Sequence, residues 1–153
     1  MHINRNNRNK PIEILLIEDN QGDNRLTKEV FKEASVPNHI QIVTNGVEAM
    51  HFLNREEEYQ NAAHPDLILL DLNIPKKDGR EILKEIKENP ELKCIPIIVL
   101  TTSQSEIDIK STYDHFANAY ITKPLDLNEF IEVIRSIEEY WLSTVELPSG
   151  CRG

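Results

Sequence analysis

The strongest constraint on the fold is a short apolar run at residues 67–70, Leu-Ile-Leu-Leu, which ends abruptly at Asp71. Four consecutive aliphatic residues cannot expose every second side chain to water, so we expect a strand covered on both faces, as in parallel α/β sheets. Pro75 and the Asp78-Gly79 pair then break the run. Ligands of open parallel sheets bind beyond the carboxyl ends of the strands. Asp71 is therefore placed for chemistry, although a lone Asp after a strand is more often a helix cap or a solvated loop residue.

Four further short apolar runs alternate with patterns of helical period along the chain. The additional predicted strands span residues 12–17, 39–43, 95–100 and 119–122. The predicted helices run from Asn20 to Ala34, from Asn45 past Leu53, from Asp78 or Gly79 to Asn89, from Ser103 to about Phe116, and from Asp126 to beyond Trp141. Strands that alternate with helices predict one doubly wound α/β domain with a five-stranded parallel sheet.

Capping residues mark the starts of three of these helices. Asn20 is expected to cap the first, and Asn45 with Glu48 three residues later predicts a cap for the second. Ser103 with Glu106 has the spacing of a capping box and predicts the start of the fourth.

Length and charge limit the possible functions. A chain of 153 residues suits a single domain, for which we predict bounds of 11–146, with terminal tails at 1–10 and 147–153. The net charge of −9 and the lack of a basic stripe argue against a nucleic-acid partner. No apolar run is long enough to span a membrane. With only two cysteines, the chain is expected to be cytoplasmic.

Polar residues follow the predicted strands at the edge where parallel strands end together. Glu18 and Asp19 follow the first strand, Asp71 the third, Thr101 the fourth and Lys123 the fifth. Carboxylates crowded in this way repel one another unless a cation intervenes, and oxygen ligands suit Mg²⁺. With the metal bound, Asp71 is expected to act as a nucleophile toward a phosphoryl group, with Lys123 and Thr101 as donors to the transferred oxygens.

These residues together resemble the receiver domain of two-component response regulators, over residues 12 to 144. The resemblance implies a flavodoxin-like fold with strand order 2-1-3-4-5 and an aspartyl phosphate at Asp71. It implies that Mg²⁺ is held by Glu18, Asp19, Asp71 and the backbone carbonyl of Asn73, and that Thr101, Tyr120 and Lys123 respond to the phosphate. Pro124, after the lysine, is a candidate for a cis peptide bond. A protein of this type accepts phosphate and is not expected to be an enzyme beyond slow autophosphorylation and autodephosphorylation.

The sequences of three segments resemble those of single-domain regulators paired with cyanobacterial phytochrome kinases. They are residues 71–81, 100–103 and 137–142. The similarity implies a phytochrome-like histidine kinase as donor, and output through protein contact or phosphorelay rather than through a DNA-binding domain. One departure is Phe116, at a position where many receivers have Gly, so we expect the left-handed helix cap to move to Asn118.

Two other functional classes compete with a phosphoryl-accepting switch. An aspartate-nucleophile phosphohydrolase would need a second acid two residues after the nucleophile, where this chain has Asn73. A flavodoxin-type binding module would need a phosphate-cradling loop after the first strand, where Glu18 and Asp19 would repel phosphate. The pattern therefore favours the switch.

The last predicted helix has an unusually wide apolar stripe. Leu127, Phe130, Ile134, Ile137 and Trp141 form the expected core stripe. Val133, Tyr140, Ile131 and Leu142 widen it on both sides, and Val145 and Leu147 continue it. Excess apolar surface commonly marks a partner site. We therefore expect a homodimer through the fourth helix, fifth strand and fifth helix, with the alternative that the extra residues pack onto their own domain.

Overall fold

A computed structural model of the chain describes residues 10–144 and residue 147. Residues 1–9 and 148–153, which make up most of the two predicted tails, lie outside this part, as do residues 145 and 146 at the predicted domain boundary. Within the described residues, none of the helices combines the length and the apolar character that crossing a bilayer requires.

The five predicted strands form one parallel sheet. Its strands are β1 (Ile12–Ile17), β2 (Asn38–Val43), β3 (Leu67–Leu70), β4 (Ile97–Thr101) and β5 (Ala119–Thr122). Their order across the sheet is β2-β1-β3-β4-β5, which confirms the predicted fold class and strand order. Central β3 is fully buried, and its successive residues alternate between two hydrophobic cores on opposite faces of the sheet. The inference from four consecutive aliphatic residues is therefore confirmed.

In the described part of the chain, five helices connect and cover the strands. They are α1 (Gln21–Lys32), α2 (Gly46–Leu53), α3 (Gly79–Glu88), α4 (Glu106–Asp114) and α5 (Leu127–Glu138). A short 3₁₀ segment spans Glu57–Tyr59, and a π-helical segment, Glu139–Thr144, continues α5. Phe52 and Ile82 lie in the core under α2 and α3, while Phe31 and Ile134 lie in the core under α1 and α5. The predicted caps at Asn20 and Asn45 are confirmed, because their side chains accept hydrogen bonds from the backbone N–H groups three residues later.

The start of α4 differs from the prediction. Its N-cap is Ser105, whose hydroxyl accepts a hydrogen bond from the backbone N–H of Asp108, so the predicted capping box of Ser103 with Glu106 is wrong. Ser103 uses its hydroxyl instead to donate to the Asp108 carboxylate at 2.7 Å. A carboxylate acceptor makes a stronger hydrogen bond than a neutral group, which favours this arrangement.

The end of α4 also differs from the prediction. Phe116 itself takes the left-handed conformation, with φ of 66°, and Asn118 does not. Asn118 is tied to β4, because its side-chain oxygen accepts a hydrogen bond from the backbone N–H of Ile97 and its own N–H donates to the Ile97 carbonyl. The chain must therefore turn two residues earlier.

The peptide bond before Pro124 is trans, as are all peptide bonds of the described residues, so the candidate cis bond is a wrong prediction. The trans isomer is the intrinsically favoured one before proline, by about 0.5–1 kcal/mol.

The wide apolar stripe of the last helix is largely covered by its own domain. Leu142 and Leu147 are 0% and 6% exposed and belong to the core under α5, so they do not extend an outer surface. Partly buried side chains that pack on the same core include Ile131, Val133 and Trp141. Leu127, predicted to lie in the core, is 57% exposed, and Tyr140 is 54% exposed. Val145 lies outside the described residues.

Candidate functional site

The carboxyl ends of β1 and β3 bring three carboxylates together. Glu18 and Asp19 directly follow β1, and Asp71 directly follows β3, which is the neighbour of β1 in the sheet. One carboxylate oxygen from each of these residues lies within 4.8 Å of the others. Glu18 and Asp71 are buried, whereas Asp19 is exposed. We call these three residues the carboxylate cluster.

Lys123, at the end of β5, places a buried ammonium group in this cluster. Its Nζ lies 2.5 Å from Glu18 Oε1 and 3.5 Å from Asp71 Oδ2. It also lies 3.0 Å from Asp23 Oδ2, in the first turn of α1. Sequence reasoning assigns Asp23 only to the helix N-terminus, although its place in the first turn of the helix that follows β1 already puts it near the same edge. The structure thus adds a fourth carboxylate to the site, and Lys123 contacts three of the four.

Burial and neighbouring charges shift the ionisation of this group of residues. Burial, together with the charge of Asp71, raises the pKa of Glu18 to about 7, although the hydrogen bond and charge of Lys123 act to lower it. Burial acts to lower the pKa of Lys123, but its hydrogen bond and ion pair with Glu18 dominate and raise the pKa above the ordinary value. The ammonium group of Lys123 is therefore the positive partner of several carboxylates, and the site retains excess negative charge.

The carboxylate cluster fits a hard divalent cation. All of its candidate ligands are oxygens, and the cluster contains no histidine or cysteine that would favour zinc. The excess of carboxylates over the lysine gives the physical reason for binding, since a cation would relieve their mutual repulsion. Asn73, the fourth predicted ligand, lies next to the cluster, where its backbone N–H donates to Asp71 Oδ1 at 3.2 Å.

Two glycines hold the segment 71–78, the Asp71 loop, against the helices. The N–H of Gly79 donates to the Leu72 carbonyl at 3.0 Å, and the N–H of Gly46 donates to the Pro75 carbonyl at 3.1 Å. A Cβ at Gly79 would lie 2.4 Å from the Asp71 carbonyl oxygen, and one at Gly46 would lie 2.0 Å from the Lys77 carbonyl oxygen. Only a residue without a side chain permits either approach. The Asp78-Gly79 pair therefore positions Asp71, in addition to breaking the apolar run that precedes it.

Thr101 and Tyr120 both approach the segment 102–105, which we call the Ser103 loop. Thr101 is fully buried at the end of β4, and its hydroxyl oxygen accepts hydrogen bonds from Asn73 Nδ2 at 3.5 Å and from the Ser103 N–H at 3.4 Å. The Tyr120 hydroxyl donates to the Ser103 carbonyl at 2.9 Å. The structure therefore links Thr101 to the Asp71 loop on one side and, through Ser103, to Tyr120 on the other.

Sequence reasoning missed an ion-pair network at the start of α3. Arg80 donates through Nε and Nη2 to the two carboxylate oxygens of Asp108, at 2.7 and 2.6 Å. Its Nη1 lies 3.1 Å from both carboxylate oxygens of Asp78. Arg80 and Asp108 are 28 residues apart in sequence, at the starts of α3 and α4, so no local sequence pattern indicates their contact.

The known proteins that this chain resembles align with it over the whole of the site. Residues 14–135 match the response regulator receiver domain. The chain is 48% identical over 142 residues to response regulator Rcp1 of Synechocystis sp., an alignment that covers 93% of this chain and 97% of that protein. The Mn²⁺-bound crystal structure of Rcp1 matches with a TM-score of 0.90 at 48% identity, covering 91% of this chain and 100% of that chain. The phosphorylated cyanobacterial phytochrome response regulator RcpA matches with a TM-score of 0.89 at 51% identity, covering 92% and 100%.

Proposed function

This chain belongs to the response regulator receiver domain family, and from that premise we propose that it accepts a phosphoryl group on Asp71 from a histidine kinase and switches conformation in response. The observation that carries the proposal is the setting of Asp71. Its buried carboxylate follows the central strand, beside two other carboxylates and 3.5 Å from the ammonium group of Lys123. The similarity to RcpA, whose crystal structure is of a phosphorylated form, supports the same assignment.

The chemistry follows from the roles that the site residues can take. An Asp71 carboxylate oxygen attacks phosphorus, the bond from phosphorus to the kinase histidine breaks, and the nitrogen lone pair returns to the imidazole. Lys123 and Thr101 then donate to the phosphoryl oxygens. Glu18, Asp19, Asp71 and the backbone carbonyl of Asn73 would hold Mg²⁺, which supplies positive charge to offset the carboxylates and the phosphoryl group. The Mn²⁺-bound structure of Rcp1 supports a divalent cation in this family.

The partner that we propose is a phytochrome-like histidine kinase, since RcpA is a phytochrome response regulator and is 51% identical to this chain. Output is proposed to be protein contact or phosphorelay, without nucleic acid, in keeping with the net charge of −9. A cytoplasmic location, where a kinase finds ATP, is part of the proposal.

Labelling with acetyl phosphate and Mg²⁺ tests the proposed acceptor. We expect one base-labile phosphoryl group per wild-type chain and none in Asp71→Asn, which keeps the shape of the side chain. Asp114→Asn is the control, because it makes the same change at an exposed carboxylate of α4 that pairs with Lys110. Persistent stoichiometric labelling of Asp71→Asn would contradict the assignment. Many turnovers of acetyl phosphate without any label would instead support the phosphohydrolase.

Calorimetric titration with Mg²⁺ tests the metal ligands separately. We expect Asp19→Ala to weaken Mg²⁺ binding at least tenfold, since it removes one of three clustered carboxylates. Glu29→Ala, a change of equal charge at an exposed position of α1, is the control. Equal affinities of wild type and Asp19→Ala would exclude Asp19 as a ligand.

We also propose a homodimer through α4, β5 and α5. Leu142 and Leu147 are buried and do not contribute to this interface, but other apolar side chains of this region are exposed to solvent. Their exposed fractions are 80% for Ile107, 49% for Tyr113, 75% for Phe116, 96% for Leu125, 57% for Leu127 and 54% for Tyr140. Covering such a surface with a second copy is the commonest solution.

Sedimentation at micromolar concentration tests the dimer. We expect Tyr140→Glu to shift the protein to monomer, while Val47→Glu, at an apolar side chain 41% exposed on α2, leaves it unchanged. A wild-type protein that is monomeric with and without a phosphoryl analogue would contradict the proposed interface.

A further inference from the structure

Ser103 is held at three atoms by three different elements. Its N–H donates to the Thr101 hydroxyl oxygen at 3.4 Å, and its carbonyl accepts from the Tyr120 hydroxyl at 2.9 Å. Its own hydroxyl donates to Asp108 Oδ2 at 2.7 Å. Contacts from β4, β5 and α4 therefore determine where the Ser103 loop lies.

Asp108 is in turn fixed by a two-pronged ion pair with Arg80, with both hydrogen bonds under 2.8 Å. The Asp108 side chain is only 16% exposed. Hydrogen bonds from Arg80 and then Ser103 lower its pKa to about 2, although the partial burial opposes them. Asp108 is thus fully ionised at neutral pH, and its hydrogen bond from Ser103 is charge-assisted.

Arg80 connects this pair to the Asp71 loop. It follows Gly79, whose N–H is bonded to the Leu72 carbonyl, and its Nη1 lies 3.5 Å from the same carbonyl oxygen. Two separate routes therefore run from the acceptor loop to Ser103. One passes through the side chains of Asn73 and Thr101, and the other through Arg80 and Asp108.

We propose that Arg80, Asp108 and Ser103 are positioning residues for phosphoryl acceptance at Asp71, which hold the Ser103 loop so that the Thr101 hydroxyl is ready to donate. The inference rests on the proposed function. Because the Thr101 oxygen accepts from the Ser103 N–H and from Asn73, its single hydrogen is directed elsewhere and is available to a phosphoryl oxygen. Loss of the ion pair releases Ser103, and Thr101 then loses this prior orientation.

Beryllofluoride, a phosphoryl analogue, tests this role by titration in the presence of saturating Mg²⁺. We expect Asp108→Asn and Ser103→Ala each to weaken beryllofluoride binding by about 5- to 10-fold, at the low end of ordinary coupling between sites. Mg²⁺ affinity, which depends on the carboxylate cluster, should stay within about twofold of wild type. Weaker beryllofluoride binding with unchanged Mg²⁺ affinity distinguishes a positioning role from a general loss of structure.

Asp114→Asn is the matched control, because it removes an equal charge and an ion pair from the same helix. The Lys110–Asp114 pair is exposed, at 78% and 59%, and within the described part of the chain neither side chain is bonded to Ser103. We expect its beryllofluoride affinity to equal that of wild type. Arg80→Lys keeps the charge without the planar fork, so it should recover only part of the affinity lost in Arg80→Gln.

Amide hydrogen exchange in the protein without analogue supplies an independent readout. The N–H groups of Ser103 and Ser105 should exchange about tenfold faster in Asp108→Asn than in Asp114→Asn, because their acceptors depend on the loop position. If wild type binds no beryllofluoride with Mg²⁺, the proposed function is wrong and the positioning role falls with it. If wild type binds and both Asp108→Asn and Ser103→Ala match Asp114→Asn, only the positioning role is overturned.

Discussion

Replacement of Gly79 by Ala should damage the fold at the Asp71 loop. The added Cβ would lie 2.4 Å from the Asp71 carbonyl oxygen and 2.6 Å from the Leu72 Cα. Both are backbone atoms, so neither can rotate away as the end of a long side chain would. Overpacking of this kind typically costs about 1–3 kcal/mol, and the helix preference of Ala over Gly returns at most about 1 kcal/mol. We expect a net loss of about 2 kcal/mol in the free energy of unfolding.

Gly22→Ala is the control for this prediction. The nearest atom to its added Cβ is Asn20 Oδ1, at an ordinary contact distance of 3.4 Å, so the helix preference is gained without a clash. We expect a gain of about 0.5–1 kcal/mol. Urea unfolding of both variants measures the difference, and the midpoint of thermal unfolding should fall by about 4–8 °C in Gly79→Ala. Equal stability of the two variants would refute the steric argument.

Two further predictions concern α4. Phe116→Gly should raise the free energy of unfolding by about 0.5–1 kcal/mol, because Gly adopts the φ of 66° at this position without steric cost. The Phe116 side chain is 75% exposed, so its removal loses little packing. An unchanged or lower urea midpoint would contradict this prediction. The pKa of Asp108 is about 2 in the folded protein and ordinarily 3.8, so its stabilising contribution is present above pH 3.8 and is lost as the pH falls toward 2. Acid unfolding followed by circular dichroism should therefore show a shallower loss of stability over this range in Asp108→Asn, and parallel curves would count against the pair.

The sheet and the carboxylate cluster could be predicted because they depend on short segments. An apolar run such as residues 67–70 has few ways to avoid water, and a parallel strand order brings the strand ends to one edge without further information. Asp71, Glu18 and Lys123 come together for that reason, although they are distant in sequence. The caps at Asn20 and Asn45 involve partners only three residues away.

The errors occur where a distant partner decides between two local choices. Ser103 and Ser105 are both acceptable caps for α4, and the choice is made by Asp108, which Arg80 holds from another helix. Asn118 suits a left-handed turn, but its hydrogen bonds to Ile97 in β4 commit it to the sheet edge. In the same way, the apolar width of the last helix could not show that Leu142 packs inward.

Lys123 and a divalent cation are alternative sources of positive charge for the same carboxylates. Lys123 is 8% exposed and contacts Glu18, Asp23 and Asp71, so Lys123→Met leaves the buried carboxylates without a neighbouring positive charge. Removing one member of a buried pair typically costs about 3–5 kcal/mol, and a bound cation supplies part of the missing charge. The free energy of unfolding of Lys123→Met should therefore rise more on addition of Mg²⁺ than that of wild type. Lys110→Met, at an exposed lysine on α4, should respond to Mg²⁺ as wild type does. Equal increments in all three proteins, measured by urea unfolding with chelator and with Mg²⁺, would show that lysine and metal act on different carboxylates.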